Sequence, residues 1–464
     1  MNNITDLLDL EDSDIKISDI IIEGQTKTLI IETPPVASYC PICGFRMHSR
    51  GVKKRTINHP ILQDGYSLIL LLKQRRWRCS NPDCLYEVNE SFRFVNKGRR
   101  TTNATDMLIV EAYRNLLETS ASIAKRFHMS DTYVHEIFDR YVKLDRLPLT
   151  DAISIDEVHL DMDDDCKYAL VIQDFHTSNP IDLLRSRRTS VTEPYFVSIP
   201  ATERNQVKYL ISDMYNPYIA YVEKYFPNAV PVVDSFHVIQ WITRSIDNYI
   251  RQLLKKYRQR DREYQDKLSY EQQRPVSLPP SDEVYLLQKY RWLILSNQSN
   301  IRYHSDPRMD SHFHVLMNTY DYEDALFRID PNLKDFRDLK EMYVQFNSRN
   351  GGNPLLARNE LKELIQTYKS SQFEIFRDFA SLLKKFEDPI VNSFIMVEKI
   401  YDARLSNGPI ESINRKVKDL KRLGRGFRNF EHFRNRFLFA TRQTPVLNGI
   451  TDYNPVTYYE EDDF

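Results

Sequence analysis

Glycine, cysteine and long apolar runs are what this chain has least of. Eleven glycines in 464 residues, beside 28 tyrosines and 24 phenylalanines, suit a helix-rich body with few flexible linkers. The start of the chain has neither a basic segment nor an apolar core of the kind that directs export. The longest apolar run near it, Leu68 to Leu72, is far too short to cross a bilayer, so a soluble cytoplasmic protein without a membrane partner is expected. Five cysteines, four of them in two pairs, fit a metal site in a reducing compartment better than a disulfide framework.

Net charge is also nearly missing, at -1 overall, which argues against uniform adhesion to polyanions. Its distribution is uneven. Residues 40–100 hold 13 Lys/Arg against 4 Asp/Glu, and residues 411–436 hold 9 against 3. The acids gather elsewhere, with 8 against 2 Lys in residues 1–33 and 5 against none in residues 451–464. Two basic patches in a neutral total suggest defined nucleic-acid contact surfaces, although a charge run is also what an ordinary solvated face looks like.

Cys40-Pro41-Ile42-Cys43-Gly44 places two thiols on one tight turn, and Cys79 to Cys84 supplies a second pair. Four thiolates on two such knuckles make a tetrahedral zinc set, the alternative being four buried thiols without metal. The strand-like run before the second pair ends in Arg75-Arg76-Trp77-Arg78. Next come two short helical segments, Ser120 to His128 and Asp131 to Tyr141, separated by Met129-Ser130. Val134, Ile137, Phe138 and Tyr141 give the second an apolar face, and Ser130 can cap it. The pattern reads as a helix-turn-helix whose outward candidates are Thr132, Tyr133, His135, Glu136 and Arg140.

Strands are expected at Ile153 to Ile155, Lys167 to Gln173, Pro180 to Arg185, Val207 to Ile211 and Val230 to Val233, with a helix at Tyr218 to Phe226: a mixed α/β sheet. The first strand delivers Asp156 near its end and the last delivers Asp234. An acid at the end of a core strand is costly to desolvate and needs a metal, a partner or open solvent. Residues 239–399 read as an all-helical insertion. After an Asn407-Gly408-Pro409 turn, Glu411 opens a helix with Arg415, Lys418 and Arg422 on roughly its face. That suits a metal-binding acid beside phosphate-holding cations, or equally a salt-bridged surface helix.

Taken together, the cysteine knuckles, Arg75 to Cys79, Gly98-Arg99-Arg100-Thr101, Ile155-Asp156-Glu157, Val233 to His237, Asn407 to Glu411 and Gly426 to Asn429 resemble the ISL3 family of bacterial insertion-sequence transposases. The resemblance implies an RNase-H-like catalytic domain with an Asp-Asp-Glu metal triad, interrupted by the helical insertion. It assigns Asp156, Asp234 and Glu411 as the catalytic acids holding two Mg2+ (or Mn2+) ions, Asp156 bridging both. Two such ions activate the attacking oxygen and stabilise the leaving one in phosphodiester chemistry. It further implies a nucleoid-associated enzyme that cleaves double-stranded DNA at terminal inverted repeats and joins the 3′ ends to target DNA. Pairing two ends implies at least a homodimer. Arg75, Arg76, Arg99, Arg100, Thr132, Tyr133, Arg140, Arg415, Lys418, Lys421 and Arg422 are the expected DNA contacts. The domain plan is 1–100 zinc module, 101–148 helix-turn-helix, 149–243 and 401–445 catalytic core, 244–400 insertion, and 446–464 acidic tail. The rival reading is a non-catalytic zinc/helix-turn-helix regulator.

Overall fold

The computed structural model describes the chain except residues 1–7, 9, 11, 13, 37, 61–66, 164, 398–402, 425 and 446–464. The expected acidic tail therefore lies outside the described residues. The chain divides into two compact units, one of residues 1–146, 160–167 and 415–464, the other of residues 147–159 and 168–414.

The first unit begins with a sheet ordered β1-β2-β4-β3, with β5 on β4. Its strands are β1 (Lys16–Glu23), β2 (Thr26–Glu32), β3 (Met47–His59), β4 (Ser67–Cys79) and β5 (Glu87–Asn89). Leu68, Leu70 and Leu72 of β4 alternate inward onto Leu29, Ile31 and Ile57, the two-residue period of a half-buried strand. The antiparallel pairing of β3 with β4 sets Met47 opposite Cys79, so the knuckle before β3 meets the knuckle after β4.

Helices α1 (Asn103–Ala112), α2 (Ser120–Phe127) and α3 (Asp131–Tyr141) follow. The hydroxyl of Thr119 caps α2, His128 ends it in the left-handed conformation, and Ser130 caps α3 by accepting from the Tyr133 amide. Ile123 and Ala124 of α2 and Val134, Ile137 and Phe138 of α3 are buried, as the periodicity predicts.

The second unit is built on a five-stranded sheet in the order β10-β9-β6-β7-β8. Its strands are β6 (Ala152–His159), β7 (Tyr168–Asp174), β8 (Pro180–Leu184), β9 (Tyr209–Ser212) and β10 (Val230–Val233). β7 is antiparallel to both β6 and β8, whereas β6, β9 and β10 run parallel. One face carries Ile153, Ile155, Leu170 and Ile172 onto α4 (Thr189–Ser198) and α6 (Asn216–Tyr225), with the short α5 (Ala201–Arg204) between those helices in sequence. The other face carries Ala152, Ile211 and Val232 onto Leu405.

The insertion holds α7 (Ser235–Glu271), α8 (Asp282–Lys289), α9 (Trp292–Leu295), α10 (Thr319–Ile329), α11 (Asn332–Arg349), α12 (Pro354–Lys369), α13 (Glu374–Lys385) and α14 (Glu387–Asn392). Val238, Ile242, Ile246, Ile250 and Leu254 recur every four residues along α7 and make it the spine of the largest apolar core. The insertion is not wholly helical. A two-residue pairing of β11 (Arg308–Met309) with β12 (Leu316–Met317) breaks it, and β13 (Met396–Val397) pairs with β14 (Ala403–Arg404). Helix α15 (Gly408–Leu423) then crosses the division between the units at Asn414.

In the first unit the chain ends its described course with α16 (Phe430–Thr441). Arg436 of α16 is 2% exposed and donates to the carbonyls of Tyr113, Asn115 (2.7 Å) and Glu118 (3.0 Å), the turn that joins α1 to α2. A helix end leaves carbonyls without partners, and this guanidinium supplies them from 320 residues away while stacking 4.9 Å from the Tyr113 ring. Burial pulls its pKa down to about 10, yet it stays charged at neutral pH. Arg436→Ala orphans those buried carbonyls and is expected to cost about 2–4 kcal/mol, read as a lower denaturation midpoint of the full chain.

Candidate active site

The parallel ladder does the positioning. Ser154 of β6 pairs with Ile211 of β9, and Val233 of β10 pairs with Ser212. Continuing both registers sets Asp156, Asp213 and Asp234 level across three neighbouring strands. By alternation, all three share the sheet face of Ala152, Ile211 and Val232. Glu157 falls on the opposite face, where it pairs with Arg187, itself 4.8 Å above the Tyr168 ring. Of the adjacent acids Asp156 and Glu157, only Asp156 belongs to the cluster.

Asp213 is the residue that sequence reasoning missed. It is the neighbour of Asp156 on the adjacent strand, whereas Asp234 stands one strand further, roughly 9–10 Å from β6 by the ordinary strand spacing. The electrostatics agree. Burial, then the negative charge of Asp213, pushes the Asp156 carboxyl up to about 7. Asp156 is 9% exposed, while the side chain of Asp213 keeps 30% of its surface.

The hydrogen bonds divide the acids by role. Asp234 is the N-cap of α7: one oxygen accepts the Phe236 amide at 3.1 Å and the other accepts the Asn407 amide at 2.9 Å. Asp213 accepts the Asn407 side-chain amide at 3.0 Å and meets His237 Nε2 at 2.5 Å, a contact set by charge more than by hydrogen-bond angle. Burial works against charge on His237, but the Asp213 carboxylate prevails and raises its pKa. Asp156 accepts its own following amide at 2.7 Å and the side-chain amide of Asn414 at 2.6 Å.

Asn407 and Asn414 thus flank Glu411 and tie the start of α15 to the acids of the sheet; β6 runs on to His159, so Asp156 stands inside its strand and not near the end that the sequence suggested. Glu411 is half-buried in the first turn of that helix, and its amide closes the turn on the Asn407 carbonyl at 3.0 Å. Further along α15, Arg415, Lys418 and Arg422 are exposed and Lys421 is half-buried.

Among the described residues, two groups of three or more His, Cys, Asp or Glu side chains have all their ligand atoms within 4.8 Å, and the acid cluster is not one of them. The donor set is nonetheless one of hard oxygens, the kind that Mg2+ takes. Among the described residues the buried Oδ1 atoms of Asn407 and Asn414 have no hydrogen-bond partner, so further oxygens stand there.

One of the two groups is Cys40, Cys43, Cys79 and Cys84. Sulfur separations of 3.7 Å (Cys40 to Cys84) and 3.3 Å (Cys43 to Cys79) approach the roughly 3.8 Å edge of a tetrahedral Zn–S4 unit. A backbone amide at Phe45 draws the Cys43 thiol down to about 7, while burial pushes Cys79 up to about 12. Cys166 is buried apart from them.

The DNA-contact candidates are not equally available. Thr132, Arg76 and Arg100 are exposed, although Arg76 pairs with Glu87; Arg99 is half-buried. Tyr133 turns inward, its hydroxyl meeting the Arg100 amide at 3.3 Å and Thr101 at 3.2 Å. Arg140 faces Asp106 at 3.6 Å, and Arg75 reaches the Thr33 carbonyl at 3.4 Å.

With that geometry described, comparison with known proteins gives a family. Residues 153–437 match the ISL3 transposase family profile, described as Transposase; this is more than half of the chain, and the protein belongs to that family. It is also similar to the "Transposase for insertion sequence element IS1001" of Bordetella parapertussis, at 22% identity over 426 residues, covering 88% of this chain and 90% of the relative.

The capping role of Asp234 carries its own expectation. Asp234→Asn keeps one oxygen to cap the Phe236 amide but sets an NH2 against the Asn407 amide, so it should lower the denaturation midpoint less than Asp234→Ala, which loses both acceptors and should cost about 1 kcal/mol or more.

Proposed function

We propose that this transposase cleaves DNA at the terminal inverted repeats of its element and joins the 3′ ends to target DNA. Asp156, Asp213 and Glu411 are the acids that would hold divalent metal. The observation that carries this reading is the adjacency of Asp156 and Asp213 on neighbouring parallel strands, with α15 tied to both through Asn414 and Asn407. The strand order, with β7 antiparallel and the remaining crossovers parallel, supports an RNase-H-like core.

Mg2+ or Mn2+, two per site, would activate an attacking oxygen and stabilise the departing one. The chain's own part is preorganisation. Asn414 aims one Asp156 oxygen, Asn407 spans Asp213 and Asp234, and His237 offsets charge beside Asp213. Asp234, placed by the family resemblance among the metal ligands, has both oxygens occupied by backbone amides, which favours a positioning role.

The remaining parts follow from composition and geometry. Cys40, Cys43, Cys79 and Cys84 would hold a structural zinc ion that closes the end of the N-terminal sheet. The α2–α3 pair is read as a helix-turn-helix, with Thr132 its best-placed DNA contact among those named. Arg76, Arg99 and Arg100, with Arg415, Lys418, Lys421 and Arg422, would bind phosphates and lend affinity without sequence information. Two ends joined in one event call for a homodimer.

The test is Mg2+-dependent nicking and strand transfer on an inverted-repeat substrate. Asp156→Asn, Asp213→Asn and Glu411→Gln should each reduce both steps by at least about a thousandfold, some 4 kcal/mol of barrier, and leave DNA binding intact. Asp234→Asn should retain measurable cleavage. An active Asp213→Asn beside an inactive Asp234→Asn would restore the triad Asp156, Asp234 and Glu411; footprinting without metal-dependent nicking in the wild type would favour a regulator. Separately, removing metal with a strong chelator, or making Cys79→Ser, should abolish protection of the N-terminal sheet in hydrogen exchange while sparing the α/β sheet.

A further inference from the structure

The second ligand group has no part in the reading above. His135 and Asp139 of α3 and His432 of α16 bring three ligand atoms within 4.8 Å of one another. His135 Nε2 lies 3.2 Å from Asp139 Oδ2, and His432 Nδ1 lies 2.5 Å from Asp139 Oδ1. The two imidazoles stack at 3.7 Å, 23° from parallel, so the nitrogens that face Asp139 point the same way. His432 is 5% exposed; His135 is half-buried.

Without a metal, both of those nitrogens must carry hydrogen to bond the carboxylate. Two stacked imidazoles cannot both become cations without repulsion. The neighbouring charges are mixed, with Asp131 and Glu136 acting on His135 and Arg436 acting on His432. A divalent ion would take the place of the two hydrogens: a neutral ring carries its hydrogen on the other nitrogen instead, a cationic ring releases one to solvent, and two neutral imidazoles and one carboxylate remain as ligands. A site needs room for a further ligand, and one side is open: His135 and His432 line a cavity of about 900 Å3 together with Thr119, Ser120, Phe427 and Asn429.

We propose that His135, Asp139 and His432 form a second transition-metal site, taking Zn2+ or a similar first-row ion through two nitrogens and one oxygen with water from the cavity completing the set. Two nitrogens and a carboxylate suit such an ion and suit Mg2+ poorly. The spacing of His135 and Asp139, one helical turn apart on α3, presents both on one face. The ion ties α3 to α16, so the helix that carries Thr132 is fixed by metal as well as by apolar packing. It also withdraws His135 from any contact with DNA.

The test uses the full chain, stripped of metal and titrated with Co2+ in excess Mg2+. The wild type should take up one more Co2+ than His135→Ala, with absorption bands that lack the thiolate charge-transfer signature of the cysteine site. His135→Ala, half-exposed in the wild type, should leave that thiolate signature unchanged, which reports an intact fold. His432→Asn, which keeps hydrogen-bonding ability at the buried position, should lose the same equivalent. Equal Co2+ uptake by the wild type and both variants would overturn the site and leave a hydrogen-bonded His–Asp–His cluster. Because the readout is the difference made by the histidines, it stands whatever the acid cluster proves to bind.

Discussion

Two carboxylates held side by side on adjacent parallel strands are the constraint around which the second unit is arranged. Asp156 and Asp213 come together because β6 and β9 run in the same direction and in a register that sets Asp156, inside β6, level with the residue that follows the end of β9. Burial and the negative charge of Asp213 both work against charge on Asp156 and push its carboxyl up to about 7. Proteins keep such strain where function uses it. His237 and the two asparagine amides offset part of the repulsion, and a divalent cation is the natural complement.

The same constraint explains the long-range connections. Asn407 and Asn414 come from the far side of a helical insertion of more than 150 residues, yet their amides end on acids of the sheet. Glu411 lies between them on the first turn of α15. The insertion is anchored at its own beginning by Asp234, which caps α7 and holds the Asn407 amide at once. Entry to and exit from the insertion are therefore fastened at one carboxylate. In the first unit a different device serves, a buried arginine on α16 that satisfies the turn between α1 and α2.

How much of this was legible in the sequence depends on how local the determinant is. The cysteine pairs, the capped α2–α3 hairpin and the strand before Asp234 follow from short patterns, and the structure places them within a residue or two of expectation; β6 instead runs on to His159, so Asp156 stands inside its strand rather than near the end. The apolar run Val207 to Ile211 stops before Ser212, whereas β9 runs through Ser212 directly into Asp213. A third short apolar strand running into an acid was the available signal. Asp156 and Glu157 are adjacent acids, and strand alternation separates them onto opposite faces of the sheet. Tyr133 and Arg140 face inward because Thr101 and Asp106 from another helix-bearing segment receive them, which no periodicity on α3 alone could reveal. The small β pairings inside the insertion have two residues per strand and leave no periodic signature.

The central claim is that Asp156 and Asp213 share a metal ion. Crystals of the full chain grown with Mn2+ and measured at its absorption edge test this without reference to activity. The account predicts an anomalous peak bonded to oxygens of Asp156 and Asp213, with Asp234 still capping α7. A peak on Asp156 and Asp234 that leaves Asp213 paired only with His237, or no peak at the strand ends, would contradict it.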